Sequence, residues 1–295
     1  MTLERFGDVA DFVGRPQIAA AEQRVGPSRS IIAGLVAAIL LSSLLPAGRS
    51  EAAAAQKIAK AKPKQPQSPT RCEMPKFRIV VDVGHTPDSY GALSARNDPE
   101  FGFNLVLAKR ITAKLKSEGF ASTRLLVTDG KARPSLFKRV SAANDGRTDL
   151  LLSVHHDSVP DKMLEAWEFD GASSYFSDRY SGHSLFVSER NPHFATSLKL
   201  ARMIGRQLKE QGLRYASQYT LPVMGRYRRQ LLDKDFGVYR YDGLVVLSRT
   251  RSTAVLLEAG SIINRDEEME MNSPERQETI AGAVAAAVGE FCAKR

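Results

Sequence analysis

From residue 76 onward the chain alternates between short apolar runs and longer stretches with a helical period. "FRIVVDV" (77–83), "STRLLVTD" (122–129) and "DLLLSV" (149–154) are apolar runs bounded by polar or turn residues, and they read as buried strands. Between the first two lies "DPEFGFNLVLAKRITAKLKSEGF". There Phe103, Leu107, Ile111 and Leu115 recur every four residues as one inward stripe. Asp98 is placed to cap this helix, Pro99 suits its first position and Gly119 its end. A second helix, "SLFKRVSAANDG" (135–146), precedes the third strand.

The later pattern is less regular. "AWEFDGASSYFS" (166–177) reads as two strands, and "HFATSLKLARMIGRQLKEQG" (193–212) as a strongly amphipathic helix. "LVVLSRT" (244–250) and "STAVLLEAG" (252–260) read as two late strands, and a closing helix starts near Ser273. A strand–helix–strand–helix–strand opening implies an α/β fold with a mostly parallel sheet covered by helices. Nothing repeats internally and one core suffices, so residues 76–295 are expected to form a single domain.

The first 75 residues differ. Residues 31–47, "IIAGLVAAILLSSLLPA", are 17 residues without a charge, preceded by Arg24 and Arg29 and followed by small residues at 52–55. This fits the apolar core of an export signal or a short membrane anchor within an N-terminal tail of residues 1–55. A buried core helix is the alternative. Residues 56–75, rich in Ala, Lys, Pro and Gln, read as a solvated linker.

Composition adds two constraints. The net charge is +9, which suits an anionic partner such as nucleic acid or an anionic cell envelope. No nucleic-acid motif accompanies it, and an export signal would exclude that reading. There are two cysteines, Cys72 and Cys292, and no Cys-x-x-Cys pair, which argues against a thiolate metal site. In an oxidising compartment the two would pair and tie the ends of the domain together, worth about 4–5 kcal/mol by loop entropy. Two unpaired thiols are the alternative.

Candidate chemistry gathers at strand ends, where open α/β sheets bind ligands. The first strand ends at His85, the third at His155 and the last at Glu258, while Glu100 opens the first helix. Two histidines and a carboxylate form a catalytic zinc set with one position left for water, and a further glutamate can serve as general base. Each residue alone has a plainer reading: His85 capping a strand, Glu100 complementing a helix dipole, Glu258 paired to an arginine. "LLSVHHD" (151–157) poses a separate question, because His155 and His156 are adjacent. Side chains on a strand alternate, so one of them serves the site and the other packs or supports it.

The segments "IVVDVGH", "DPEFGFNLVLAKRI", "FKRVSAANDGRTDLLLSVHHD" and "TAVLLEAGSIIN" resemble, in this order, those of zinc-dependent N-acetylmuramoyl-L-alanine amidases, a family of bacterial cell-wall hydrolases. The resemblance implies a twisted, mixed sheet flanked by helices. It implies one Zn2+ on His85, Glu100 and His155, with Glu258 as the catalytic base. His156, Asn144 and Asn264 become candidates to support the ligands or touch substrate. The implied reaction is hydrolysis of the amide between N-acetylmuramic acid and L-alanine of peptidoglycan, in the periplasm or cell envelope.

Two departures from the family pattern stand out. Its usual "GHGG" is replaced here by His85-Thr-Pro-Asp-Ser. Residues 217–237 read as an insertion, and Arg226–Lys234 could form the helix that blocks the site in some relatives until an activator protein removes it, or an ordinary loop. His183 and His193 are expected at the surface, with substrate contact as the alternative, and Trp167 is expected to pack. Two rival functions share the pattern: a zinc peptidase acting on the peptidoglycan peptide, and a non-catalytic wall-binding protein on the same scaffold. Inner-membrane contact would run through residues 31–47.

Overall fold

The structure is a computed structural model that describes residues 72–294; the expectations for residues 1–55 and most of the linker fall outside it. Its centre is a mixed sheet of seven strands in the order β2-β1-β3-β9-β6-β8-β7. These are β1 (Ile79–Val83), β2 (Arg124–Leu126), β3 (Leu150–Asp157), β6 (Ser184–Val187), β7 (Gln230–Asp233), β8 (Val238–Arg240) and β9 (Thr253–Ser261). β2, β1, β3 and β9 run parallel, β6 is antiparallel to β9, β8 is parallel to β6, and β7 closes the edge antiparallel to β8. β4 (Glu165–Phe169) and β5 (Ala172–Phe176) form a separate hairpin.

One face of the sheet is covered by α1 (Glu100–Ser117), α3 (Phe194–Glu210) and α6 (Pro274–Ala293). The stripe Phe103, Leu107, Ile111, Leu115 lies buried here against Val81, Leu152, Val154, Val255 and Leu257. α6 begins where expected, with the Ser273 hydroxyl accepting from the Arg276 N–H at 3.1 Å. α1 begins one residue later than expected: Pro99 holds the cap position, with extended backbone, and Asp98 makes no cap bond. α5 (Arg265–Asn272) has no counterpart in the apolar pattern, because its residues are mostly charged. Cys72 and Cys292 form a disulfide with Cα atoms 5.3 Å apart, joining the start of the domain to its last helix.

The other face carries α2 (Ala132–Asn144) and α4 (Val245–Arg249) over Leu151, Phe186, Tyr239, Ala254 and Leu256. α4 corrects an expected strand at 244–250. β9 already has β3 and β6 on its two sides, so the apolar run cannot join the sheet there and packs Val246 and Leu247 onto its face instead. Arg226–Lys234, left open between a helix and a loop, forms no α-helix: a 3-10 segment, Pro222–Tyr227, leads into the edge strand β7. Gly225 at φ +56° breaks helical geometry inside that segment. No helix among the described residues is long and apolar enough to cross a membrane.

Candidate active site

The carboxyl ends of β1, β3 and β9 meet at one cavity, as the parallel block requires. β1 passes into Gly84 and His85, and the Gly84 N–H still bonds Val154 of β3 at 2.9 Å. A Cβ on Gly84 would lie 2.5 Å from the His155 ring, so only glycine lets that imidazole lie against the β1 end. His85 itself has φ +64°, a sparsely populated conformation for a non-glycine residue. Arg139 of α2 holds it there. This side chain, 2% exposed, donates to the His85 carbonyl and to Thr128 Oγ1 (3.0 Å), with Asp82 Oδ1 3.6 Å from its Nε.

Where the family has glycines directly after the histidine, Thr86–Ser89 forms a tight turn and the Thr86 hydroxyl donates to the Gly130 carbonyl at 2.7 Å. The glycine is supplied further on by Gly91. At φ +85° its absent Cβ would stand 2.3 Å from Glu100 Oε2 and 2.7 Å from the His85 ring.

Glu100, at the first position of α1, sits between the two histidines. Its Oε2 is 3.0 Å from His85 Nε2 and its Oε1 is 3.1 Å from His155 Nδ1. The Ala92 N–H donates to Oε2 at 3.1 Å, and the Asn104 amide and His156 N–H donate to Oε1 at 3.0 and 3.3 Å. Burial pushes the carboxyl pKa up, but His85 and His155 outweigh it and hold Glu100 well below the usual carboxylate range. Donor atoms of His85, Glu100 and His155 all lie within 4.8 Å of one another, a spacing suited to a metal ion.

The paired histidines divide as alternation requires. His155 shares the cavity-side face of the sheet with Leu151 and Leu256, while His156 turns towards α1, its ring 5.6 Å from Phe103. His156 Nδ1 is 2.8 Å from Asn104 Oδ1, and burial pushes its pKa down to about 4. Asn104, one helical turn after Glu100, thus ties together Glu100, His156 and the Gly84 carbonyl (3.2 Å). The sequence does not single it out: the one local signal is a polar residue four positions after Glu100, next to the apolar stripe of α1.

Glu258 is the register partner of His155 on β9 and lines the same cavity. Its Oε2 is buried without a hydrogen-bond partner. Burial raises its pKa well above the usual range, and the nearby charges of Asp157 and Glu100 add to that. Asp157, also buried, accepts from the Tyr219 hydroxyl at 2.7 Å and has its pKa raised by burial to about 7. Tyr219 belongs to the 217–237 segment, which therefore forms part of the cavity wall.

The sequence pattern of the N-acetylmuramoyl-L-alanine amidase family (Amidase_3) matches residues 79–290. The chain belongs to this family. The amidase is 23% identical over 221 residues to a putative N-acetylmuramoyl-L-alanine amidase of Buchnera aphidicola, covering 74% of this chain and 97% of that one. Its fold is similar to that of the amidase Ami1 from Mycobacterium smegmatis, with a TM-score of 0.57 at 18% identity over 75% of this chain and 99% of the other. It is similar also to the CwlD amidase of Clostridioides difficile, solved in complex with the GerS lipoprotein. There the TM-score is 0.53 at 18% identity over 74% and 100% of the chains. The amidase acts on peptidoglycan, at the amide between the N-acetylmuramoyl group and L-alanine.

The remaining singled-out residues of the amidase lie away from the cavity. Asn144 at the end of α2 donates to the Arg249 carbonyl at 3.1 Å and accepts from the Arg251 N–H at 2.8 Å, pinning α2 to the turn before β9. Asn264 caps α5, accepting from the Asp266 and Glu267 N–H groups at 3.2 and 3.0 Å. His193 is exposed just before α3. His183, expected at the surface, is 2% exposed and does not line the cavity. Trp167 packs: its indole N–H donates to the Ala95 carbonyl at 2.9 Å, and its ring stacks on Phe169.

Proposed function

We propose that the amidase works with a zinc ion held by His85, Glu100 and His155, and that Glu258 moves the proton. The observation that carries this reading is the approach of three donor atoms to within 4.8 Å beside the unpartnered Glu258 Oε2. Two imidazoles and one carboxylate are the donor types of a catalytic zinc, so the residues fit the ion. When bound, zinc supplies polarisation of the scissile carbonyl and a lowered pKa for a water molecule.

The protein's own contribution follows from its residues. Arg139 and Asn104 keep His85 and Glu100 in place through their hydrogen bonds. Glu258 accepts a proton as water adds to the carbonyl carbon. It returns that proton to the amide nitrogen as the C–N bond breaks, leaving a lactyl carboxylate and a free L-alanyl amine. The raised pKa of the buried carboxyl suits both halves of this transfer.

The amidase is placed by this reading in the periplasm or cell envelope. The disulfide fits an oxidising compartment, and residues 31–47 would act as export signal or anchor to the inner membrane. An activator protein would be a further partner; the lipoprotein bound to the C. difficile relative is the parallel. The test is mass spectrometry of purified peptidoglycan digested by residues 56–295 with zinc, with chelator, and with Glu258→Ala. Stem peptides beginning at L-alanine should appear only in the first. Fragments cut within the peptide would make the enzyme a peptidase.

A further inference from the structure

We propose that Arg229 forms a carboxylate-binding subsite in the catalytic cavity and selects stem peptides that carry a free carboxylate close to the cleaved amide. The proposal rests on the amidase reading and adds to it a determinant of substrate choice.

Arg229 stands just before β7, anchored by its N–H to the Tyr219 carbonyl at 2.8 Å, and lines the same cavity as His85, His155 and Glu258. Its guanidinium carbon lies 3.6 Å from the centroid of the Tyr241 ring, a close cation–π stack that fixes the plane of the group. Nη1 donates to the carbonyls of Arg226 and Arg228, each at 2.9 Å. That uses one edge of the fork. Nε is buried and has no partner, and among the described residues no carboxylate pairs with this guanidinium. Nη2 makes no hydrogen bond among the described residues and, unlike Nε, is not sealed from solvent, so the fixed guanidinium presents it as a donor for one charge-assisted hydrogen bond to a carboxylate oxygen.

The surroundings give the charge a purpose. The cavity already holds the carboxylates of Glu100 and Glu258, so an anionic peptide entering it meets repulsion. The other guanidinium there, Arg139, is committed to His85, Thr128 and Asp82. Leu136, Phe186 and Leu244 line apolar wall. The two carbonyl bonds and the Tyr241 stack offset part of the desolvation of this half-buried arginine, and an incoming carboxylate would offset more of it. Peptidoglycan stem peptides offer that group: the residue after L-alanine is acidic, and its α-carboxyl is free in some walls and amidated in others.

The experiment uses the full zinc-loaded chain and two product peptides, L-alanyl-γ-D-glutamyl-L-lysine and its D-isoglutamine twin, with affinities read by calorimetry. The wild type should bind the acid at least ~10-fold tighter than the amide, about 1.4 kcal/mol. Arg229→Gln should erase that difference by weakening the acid alone, and Arg229→Lys, which keeps charge without the fork, should retain only part of it. Equal binding of the two peptides by the wild type would overturn the proposal. So would a variant that keeps the discrimination, or one that loses both peptides equally. Because no bond is cleaved in this assay, its failure is separate from that of the amidase reading, which falls if the wild type releases no stem peptide from peptidoglycan.

Discussion

His155 and Glu258 are register partners on the adjacent parallel strands β3 and β9, and their side chains leave the sheet on the same face. Neighbouring strands thus hold a metal-ligand candidate and the proposed proton carrier side by side, at the carboxyl edge where the parallel block opens. The two groups differ in support. His155 is engaged by Glu100 at 3.1 Å, whereas Glu258 keeps an oxygen without a partner. An uncommitted buried carboxyl group beside a candidate metal-ligand cluster is the arrangement that suits a general base.

Replacing Glu258 by glutamine keeps the shape and removes the proposed base. The expected loss in kcat/KM on muropeptides is ~10²–10⁴-fold. Bound zinc, measured by plasma mass spectrometry, should stay at one per chain in the variant, since Glu258 is outside the ligand set. Chelation of the wild type should abolish activity and zinc should restore it. A variant within a few-fold of wild-type rate would remove Glu258 from the mechanism.

Asn104 tests how the ligands are held. It is fully buried, and it joins Glu100, His156 and the Gly84 carbonyl. Asn104→Ala leaves those groups unsatisfied, at a cost of about 1–3 kcal/mol. Zinc affinity by chelator competition should fall ~10–100-fold, as for other partners that orient metal ligands. Unchanged affinity together with an unchanged melting temperature would show that the amide is dispensable.

The parts of this site visible in the sequence are those where periodicity ends in a reactive residue. β1, β3 and β9 hold apolar runs; His85 follows β1 after Gly84, while His155 and Glu258 come directly after the apolar runs inside β3 and β9. α1 is legible from its stripe and Gly119. What stayed hidden depends on contacts across the chain. β6, β7 and β8 are three or four residues long, too short for a period to register. The run at 244–250 has strand composition, and only the occupancy of both sides of β9 turns it into α4. Arg139 reaches His85 across 54 residues, a relationship no local pattern encodes. Asn104 lies only four residues from Glu100, yet a lone polar residue beside an apolar stripe does not announce what it bonds.

His183 gives the fold a pH dependence of its own. Both ring nitrogens are buried with no well-formed hydrogen bond, and burial pushes the pKa down to about 4, against an ordinary value of 6.5, the backbone at Phe236 and Arg214 offsetting only part of that. The unfolded chain then binds more protons than the folded one between those values, so stability falls as pH drops through that window and is fully present above it. The contribution is about 3 kcal/mol at most. Urea unfolding at pH 7 and pH 4.5 should show a smaller difference for His183→Gln than for wild type. The comparison between the two proteins cancels the other titrating groups. Identical differences would mean that the folded ring takes up a proton as readily as the unfolded one.

The disulfide closes a loop of 220 residues between Cys72 and Cys292, so it restricts almost the whole unfolded domain. Loop entropy of that size is worth on the order of 5 kcal/mol, an upper figure because unfolded chains keep some structure. The partner elements give the bridge something to hold: Cys292 is packed in the core cluster at the end of α6, and α6 contacts both α1 and α3. Cys72→Ser, or the reduced wild type, should melt about 10 °C lower, measured by circular dichroism in the presence of zinc. Activity well below the melting point should be little changed, because the cavity lies at the carboxyl ends of the strands and takes no residue from either cysteine. A shift of no more than a degree would mean that the start of the domain is held by its other contacts, and that the bridge adds little to the folded chain.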